Sequence, residues 1–380
     1  MIKKNKYGQY FTIETIAEFM VSLINQGKEA KVLEPSCGKG IFLKMLYKYG
    51  FKNIKGYEID ATLDNPYKNV VEYKSFICSP LSERFNVVIG NPPYIRWKNL
   101  EDNLKRELAQ SDLWNKYFNS LCDYLFIFIL KSIEQLKDNG ELIFICPEYW
   151  LNTTHSASLR NYMCVNGYFS DIYLFKETTL FEGVTSSFVI FRYIKSKKQA
   201  SEIALHKYTK REKPTLDELI DGSCFVIEQI PSFQIGERWI LATKSKQNLL
   251  KSFQNSCIQN KSLFPNSGTF YRIGDFCDIG NGMVSGLDKA FKVTDIDILN
   301  EDERNSLIKV NKAKDLDQYS NIGTSYYFFI KDDMNEKDFA AKFPHFYKQL
   351  MPYKDLLEKR YSYGRNLPIW QFAFPRMVIF

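Results

Sequence analysis

The sequence lacks the features by which several large classes of protein are recognised. Its eight cysteines are scattered through 380 residues without a C-x-x-C pair, and its three histidines, His155, His206 and His345, show no metal-ligand spacing. Spacing therefore indicates neither a metal site nor a disulfide framework, and a reducing cytoplasm is favoured. The apolar runs are short, since "YLFIFIL" at 124–130 is far below the ~20 residues that span a membrane. We expect a soluble, cytoplasmic protein with no bound metal and no contact with a membrane.

Repeats, low-complexity segments and nuclease motifs are also absent from the sequence. Hydrophobic residues make up 45% of the chain and charged residues 25%, which is typical of a folded globular protein. A chain of 380 residues predicts two or three domains at ~150 residues each. The formal net charge of +7 is compatible with a polyanionic partner but does not identify one.

Strand and helix patterns alternate through the first half of the chain. "IETIAEFMVSLI" has apolar residues at helical spacing, with Thr12 placed to cap its start, and "IFLKMLYKYG" predicts a helix that Gly50 ends. A further helical region covers residues 119–137. The strand-like runs are "KVLE", "NIKGYEID", "FNVVIGNPP", "GELIFICP", "DIYLFKE" and "SFVIFRYI". Strands that alternate with helices predict an α/β fold with a doubly wound, mainly parallel sheet.

A small-residue turn follows the first predicted strand. Glu34-Pro35-Ser36-Cys37-Gly38 and the second glycine, Gly40, allow the backbone to turn tightly and to approach a ligand. Glu58 ends the next strand 20 residues after Gly38, a spacing at which a carboxylate can accept hydrogen bonds from ribose hydroxyls. Glycines at this point can also make a simple strand-to-helix turn. The order of strand, turn, helix, strand and acid favours a site for a nucleoside-containing cofactor instead.

The stretch "VVIGNPPYIRW" carries the most distinctive chemistry of the chain. Asn91 lies at the end of a predicted strand, where its amide oxygen and the carbonyl of Pro92 can both accept hydrogen bonds from one –NH₂ group. Two such acceptors would pull the amino nitrogen of adenine toward tetrahedral geometry and direct its lone pair at an electrophile. Tyr94 offers a flat face on which an extruded base can stack. The alternative is an Asn-Pro turn with only a structural role.

Five motifs in their order along the chain resemble one enzyme family. "GQYFT", "EPSCGKGIFL", "GYEID", "IGNPPY" and "LFEGVTSSFVIFR" are together similar to the gamma-class N6-adenine DNA methyltransferases of type II restriction-modification systems, the TaqI-like group. The resemblance covers about residues 7–195. It implies a Rossmann-like, S-adenosylmethionine-dependent methyltransferase sheet whose seventh strand, "SFVIFRY" here, is antiparallel.

The resemblance also implies roles for individual residues. Catalytic roles are expected for Asn91, Pro92 and Tyr94, and Phe181 occupies the position of an aromatic that holds the flipped adenine opposite Tyr94. The residues expected to bind S-adenosylmethionine are Thr12, Glu34, Pro35, Ser36, Cys37, Gly38, Glu58, Ser75, Phe76 and Pro93. The chain departs from the family pattern at Ser75, where an acidic residue is common. A hydroxyl there can still accept a hydrogen bond from the adenine amino group of the cofactor.

The second half of the chain is less informative. "KSKKQ" predicts a charged linker after residue 194, and a new unit is expected from residue 236, which divides the chain into a methyltransferase domain at 1–235 and a mixed target-recognition domain at 236–380. "IGNGMVSGLDKAFKV" resembles the segment that leads into that domain, with tight turns at Gly282 and Gly286, or it is an ordinary glycine-rich hairpin. Arginines at positions 360, 365 and 376 contact DNA phosphates or only solvate the surface.

The final stretch, "NLPIWQFAFPRMVIF", is an apolar run without a polar tail. Chain ends usually lie in polar surroundings, and in the resembled family more chain follows a tryptophan-containing stretch of this kind. We therefore expect the recognition domain to be incomplete in this sequence.

The resemblance predicts a monomeric bacterial enzyme that methylates double-stranded DNA and is linked functionally, not physically, to a restriction endonuclease. Two other functions remain open at this point. A protein-glutamine methyltransferase uses NPPY to grip a carboxamide –NH₂ by the same chemistry, although "GQYFT", Phe181 and the long second half favour DNA. A non-catalytic DNA-binding subunit could keep the fold as a scaffold, although an intact Asn91-Pro92-Pro93-Tyr94 favours an enzyme.

Overall fold

A computed structural model describes residues 11–175, 178, 180, 187–210, 212–259, 284–311, 324–360 and 366–373. The chain forms two compact units, Met1–Gln254 and Asn255–Phe380. The first unit therefore extends beyond the boundary predicted at residue 235, and the assignment of functions to the two parts stays a prediction.

A nine-stranded sheet forms the centre of the first unit. Its strands, in the spatial order β3-β2-β1-β4-β5-β7-β6-β8-β9, are parallel from β3 to β5, and β7 is antiparallel to both of its neighbours, β5 and β6. β6 and β8 pair in parallel and β9 is antiparallel to β8. The doubly wound sheet and the antiparallel "SFVIFRY" strand are confirmed. The strands are β1 (Val32–Glu34), β2 (Ile54–Glu58), β3 (Val71–Tyr73), β4 (Phe85–Gly90), β5 (Leu136–Pro147), β6 (Gly167–Leu174), β7 (Phe188–Lys195), β8 (Glu202–Tyr208) and β9 (Phe225–Pro231).

Helices cover both faces of this sheet, which is why its central strands are apolar on both sides. In β4, Val88 packs into the core that contains α5, whereas Val87 and Ile89 pack into the core that contains α1 and α2. The helices of the first unit are α1 (Glu14–Ser22), α2 (Ile41–Lys48), α3 (Asp102–Ala109), α4 (Asp112–Tyr117), α5 (Tyr124–Gln135), α6 (Ala157–Asn166) and α7 (Leu216–Asp221), and α8 (Lys244–Gln259) begins in the first unit and ends in the second. Among the described residues, no helix is long and apolar enough to cross a membrane.

Caps were predicted for the start of α1 and the end of α2, and the structure describes both. α2 ends as expected at Gly50, whose φ of 84° is in the left-handed region. The prediction that Thr12 caps α1 is wrong. The N-cap residue is Ile13, which has no side chain able to accept a hydrogen bond, while the Thr12 hydroxyl accepts one from Asn91.

The second unit mixes short helices with a small antiparallel sheet of order β10-β12-β11. Phe328 and Phe346 stack in its core with ring centroids 4.2 Å apart. Gly286 makes the predicted tight turn with φ 87°, but the chain then enters α9 and not a hairpin strand; Gly282 lies outside the described residues. The elements are α9 (Asp288–Phe291), β10 (Lys292–Val293), α10 (Glu301–Asn305), β11 (Leu307–Val310), β12 (Ser325–Phe328), α11 (Glu336–Lys342), α12 (Pro344–Leu350) and α13 (Lys354–Glu358).

Arg360 has a role that its sequence context did not predict. Its guanidinium donates hydrogen bonds to four backbone carbonyls, those of Ser285, Pro368, Ile369 and Gln371, at 2.6–3.4 Å. Burial lowers the pKa of Arg360 to about 10. This arginine ties together three segments of the second unit. Arg365 and Arg376 lie outside the described residues.

Candidate active site

A cavity of about 330 Å³ lies at the carboxyl ends of β1, β2 and β4. This volume is within the range of small-molecule sites, ~300–1,000 Å³. The carboxyl ends of parallel strands are where doubly wound sheets bind their ligands. Of the predicted site residues, the cavity is lined by Thr12, Glu34, Pro35, Ser36, Cys37, Gly38, Glu58, Ser75, Phe76, Asn91 and Pro93.

The glycine turn after β1 is held closely to the end of β2. The amide of Gly38 donates to the Glu58 carboxylate at 2.7 Å, and the amide of Cys37 donates to the Tyr57 carbonyl at 2.9 Å. Gly38 and Gly40 have φ values of 52° and 81°, which side-chain-bearing residues rarely adopt. The turn therefore needs glycine for its backbone conformation.

Asn65 supports the same turn from outside the cavity. Its side chain is fully buried and donates to the Gly38 carbonyl at 3.1 Å while accepting from the Tyr67 amide at 2.9 Å. A Cβ atom at position 40 would lie only 2.7 Å from the Asn65 Oδ1. Gly40 is thus required by close packing as well as by its φ.

Two buried carboxyl groups line the cavity. Burial raises the pKa of Glu34 well above its usual range, and the neighbouring Glu58 charge adds to the effect. Burial also raises the pKa of Glu58, against the hydrogen bonds that it accepts from the amides of Asp60 and Gly38. Among the described residues, no hydrogen-bond donor reaches Oε2 of Glu34. A ligand that brings positive charge or hydrogen-bond donors would suit this wall.

Asn91 follows β4 at the edge of the cavity and is held on both sides. Its Nδ2 donates to the Thr12 hydroxyl at 3.1 Å, and its backbone carbonyl accepts from the Ser36 hydroxyl at 3.1 Å. Because Nδ2 faces Thr12, the acceptor Oδ1 lies on the other arm of the amide. Two residues predicted to contact a cofactor therefore also fix the orientation of Asn91.

Pro92 and Tyr94, the other predicted catalytic residues that the structure describes, do not line the cavity. Pro92 is buried, and Tyr94 is half-buried with its ring centroid 6.1 Å from that of Phe188 in an edge-to-face arrangement. Phe188 begins β7, which pairs with the end of β5. Phe181 lies outside the described residues. The structure thus places Asn91 beside the cavity and Tyr94 on the side toward β5 and β7.

Ser75 and Phe76 form the wall of the cavity that follows β3. Ser75 is 8% exposed and precedes a 3-10 turn, Phe76–Cys78. The Phe76 ring packs between Tyr57 and Phe128, with centroid distances of 5.9 and 5.3 Å. An aromatic ring fixed in this way offers an apolar surface for a flat ligand.

Several residues of the cavity were not predicted from the sequence. Tyr124 and Phe128 lie one turn apart on α5, and Phe11 contributes an aromatic ring that is 49% exposed. The spacing of Tyr124 and Phe128 predicts that they lie on one face of a helix. It does not predict which face of that helix meets the cavity. Asn65 carries no sequence signal, because its role depends on a packing contact with the glycine turn.

The three histidines take part in local interactions. The His206 ring nitrogen lies 3.1 Å from Asp171, and that of His345 lies 2.8 Å from the buried Glu303. The carbonyl of His155 accepts from the Cys122 thiol. In the parts of the chain that the structure describes, no group of three or more metal-ligating side chains occurs.

Comparison with known proteins relates this geometry to one family. Residues 22–181 match the Eco57I restriction-modification methylase family. The type II methyltransferases M.HindII and M.HincII of Haemophilus influenzae are 43% and 40% identical to the chain over 98% of its length, which corresponds to 72% and 71% of theirs. A solved structure of a nuclease-deletion mutant of the type ISP restriction-modification enzyme LlaGI has a TM-score of 0.50 at 15% identity, covering 75% of this chain and 30% of that one. This likeness supports the fold.

Proposed function

The chain belongs to the type II DNA methyltransferases of restriction-modification systems, and we propose that it transfers a methyl group from S-adenosylmethionine to the N6 amino group of an adenine turned out of double-stranded DNA. The observation that carries this proposal is the placement of Asn91. It follows β4 beside the cavity, with its amide oriented by Thr12 and its backbone held by Ser36. An acceptor fixed at the edge of a cofactor cavity suits a reaction on an amino group.

The residues around the cavity fit S-adenosylmethionine. Glu58 ends β2 and would accept hydrogen bonds from ribose hydroxyls, while Ser75 and Phe76 would offer a polar atom and an aromatic wall to adenine. The buried Glu34, whose Oε2 meets no donor among the described residues, suits the positively charged end of this cofactor. When bound, S-adenosylmethionine supplies an electrophilic methyl carbon.

Asn91 and Pro92 would act on the amino group of the target base. The lone pair of that nitrogen is delocalised into the ring, so the group is a poor nucleophile. Hydrogen bonds from its two N–H bonds to Asn91 Oδ1 and the Pro92 carbonyl direct the lone pair away from the ring plane. As the N–CH₃ bond forms, the S–CH₃ bond would break to leave S-adenosylhomocysteine, and the amino group would release one proton to solvent. Acceptors of this kind, set in advance, typically contribute ~3–4 kcal/mol to the stability of a transition state.

Tyr94 and Phe181 would hold the extruded base. A base that leaves the duplex loses its stacking, and an aromatic side chain replaces ~1–3 kcal/mol of that interaction. Tyr94 lies on the same segment as Asn91 and packs edge-to-face on Phe188. The chain is proposed to act as a monomer, and its product would protect host DNA from a restriction endonuclease of the same system.

Methyl-labelled S-adenosylmethionine tests which polymer is the substrate. The protein is incubated with unmethylated plasmid DNA or with a glutamine-containing release factor, and the label in each is counted. We expect label in DNA and only background in protein. Label in protein alone would replace the proposal with a glutamine methyltransferase, and label in neither would favour a non-catalytic subunit.

A further inference from the structure

Side chains on one face of α5 contact the segment that follows β3. Tyr124, Phe128, Lys131 and Gln135 are separated by four, three and four residues, so they lie on one side of the helix. The first two line the cavity. The other two are polar side chains that are nonetheless almost completely buried, at 4% and 0% exposure.

Lys131 and Gln135 bind the backbone of that segment. The ammonium group of Lys131 donates to the carbonyl oxygens of Ile77 and Ser79, the latter at 2.7 Å. The Gln135 amide donates to the carbonyl of Pro80 at 2.8 Å. Two side chains of one helix thus hold three carbonyls within four residues of the chain.

The segment depends on such contacts because it has little structure of its own. Between β3 and β4 its only regular element is the 3-10 turn Phe76–Cys78, and buried carbonyls without donors are costly. Lysine is rarely buried, so a buried ammonium that makes charge-assisted hydrogen bonds indicates a specific requirement. The Lys131 nitrogen also lies 5.3 Å from the centre of the Phe76 ring. The contacts of Lys131 with the backbone therefore lie directly behind the cavity wall that Phe76 forms.

We propose that Lys131 and Gln135 are positioning residues that set the affinity for S-adenosylmethionine by fixing the cavity wall formed by Ser75 and Phe76. They act through the backbone of residues 77–80 and do not line the cavity themselves. This inference rests on the proposed function, because it takes S-adenosylmethionine as the ligand of the cavity. Lys131 and Gln135 would thus form a buried layer of the site behind the residues that line the cavity.

Binding of S-adenosylhomocysteine, measured by calorimetry on the full chain, tests the proposal. Lys131→Met keeps a long apolar side chain but removes the donor, so we expect its Kd to rise about tenfold, as the loss of a charged hydrogen bond implies. The KM for S-adenosylmethionine should rise with it, while kcat at saturating cofactor stays within about twofold. This split separates positioning of the cofactor from a role in the chemical step.

Lys195 provides a matched control. Its ammonium group also donates to two carbonyls, those of Glu134 and Leu136 at 3.1 and 2.9 Å, but neither carbonyl belongs to the segment of residues 77–80. It is not part of the cavity. Lys195→Met should lower stability and leave the Kd within about twofold, because its two hydrogen bonds hold no backbone group of the segment that carries the cavity wall.

The outcomes distinguish the two proposals. If the wild-type protein binds no S-adenosylhomocysteine, the proposed function fails. If the wild type binds and Lys131→Met binds equally well, or if Lys195→Met weakens binding as much, only the positioning role is overturned. Should Lys131→Met not fold, Gln135→Leu is measured in its place; a rise of about threefold, in keeping with the loss of one neutral hydrogen bond, supports the role, and an unchanged Kd overturns it.

Discussion

At the scale of single residues, the orientation of Asn91 depends on two hydroxyl groups from distant parts of the chain. Thr12 precedes α1 and Ser36 lies in the turn after β1. The sequence placed all three in one site, but it assigned Thr12 and Ser36 to the cofactor and Thr12 also to a helix cap. The hydrogen bond from Asn91 to Thr12 instead joins the wall of the cavity to the amide that is proposed to be catalytic.

Thr12→Val tests this coupling, because valine has nearly the same shape and cannot accept a hydrogen bond. We expect kcat to fall about tenfold, the cost of one lost hydrogen bond of ~1.4 kcal/mol, with unfolding stability little changed. Thr12→Ser, which keeps the hydroxyl, should retain most activity. Single-turnover rates of the three proteins provide the measurement. Equal rates for the valine and serine variants would disprove the orienting role of Thr12.

The buried Lys131 should also affect stability at high pH. Burial lowers its pKa to about 8, with smaller and opposed effects from Cys78 and Lys74, whereas an unfolded lysine titrates near ~10.4. Between these values the unfolded state binds more protons, so the free energy of unfolding should rise with pH. Urea titrations from pH 7.5 to 10 should show this gain in the wild type and not in Lys131→Met. Parallel curves for the two proteins would mean that Lys131 does not titrate in this range.

At the scale of elements, the sequence predicted most of the fold because the central strands are short apolar runs bounded by turns. β1, β2, β4, β5, β6 and β7 each coincide with a run identified in advance, and α2 ends at the predicted Gly50. β3 was missed, since its three residues include Glu72 and the exposed Tyr73. The contacts of Asn65 and Lys131 could not be predicted either, because they join residues that are 27 and 54 positions apart.

The two glycines that flank α2 allow the effect of backbone strain to be measured separately from the effect of close packing. Gly40 and Gly50 flank α2 with φ values of 81° and 84°, yet a Cβ atom at position 40 meets Asn65 and one at position 50 meets nothing within 4 Å. Alanine should cost each position ~1–2 kcal/mol of unfolding free energy through φ alone. Only Gly40→Ala should also weaken S-adenosylhomocysteine binding, because it displaces the Asn65 side chain that supports the turn.

Urea unfolding and calorimetry on both alanine variants provide the comparison. Gly50→Ala is the control for strain without crowding. If the two variants bound S-adenosylhomocysteine equally well, Asn65 would not position the glycine turn for the ligand.

At the scale of the whole molecule, the two compact units differ in how far the sequence explains them. The first unit carries the five motifs and the cavity, so its fold followed from the order of strands, glycines and acidic residues, whereas the roles of its site residues stay predictions. The second unit is held together by contacts that no sequence motif marks, such as the hydrogen bonds from Arg360 to four backbone carbonyls. Its role in recognising DNA stays a prediction that the family resemblance implies.

Asn91 is proposed to direct methyl transfer to the N6 atom of adenine in DNA. Unmethylated plasmid DNA is treated with the wild type, with Asn91→Ala and with Asn99→Ala, an exposed asparagine of the same segment, and then digested to nucleosides for mass spectrometry. We expect N6-methyl-2′-deoxyadenosine from the wild type and Asn99→Ala, and a loss of about 10²–10³ in rate for Asn91→Ala, whose S-adenosylhomocysteine binding stays nearly intact. Methylated deoxycytidine as the product, or an Asn91→Ala rate above about a tenth of the wild type, would contradict this role of Asn91.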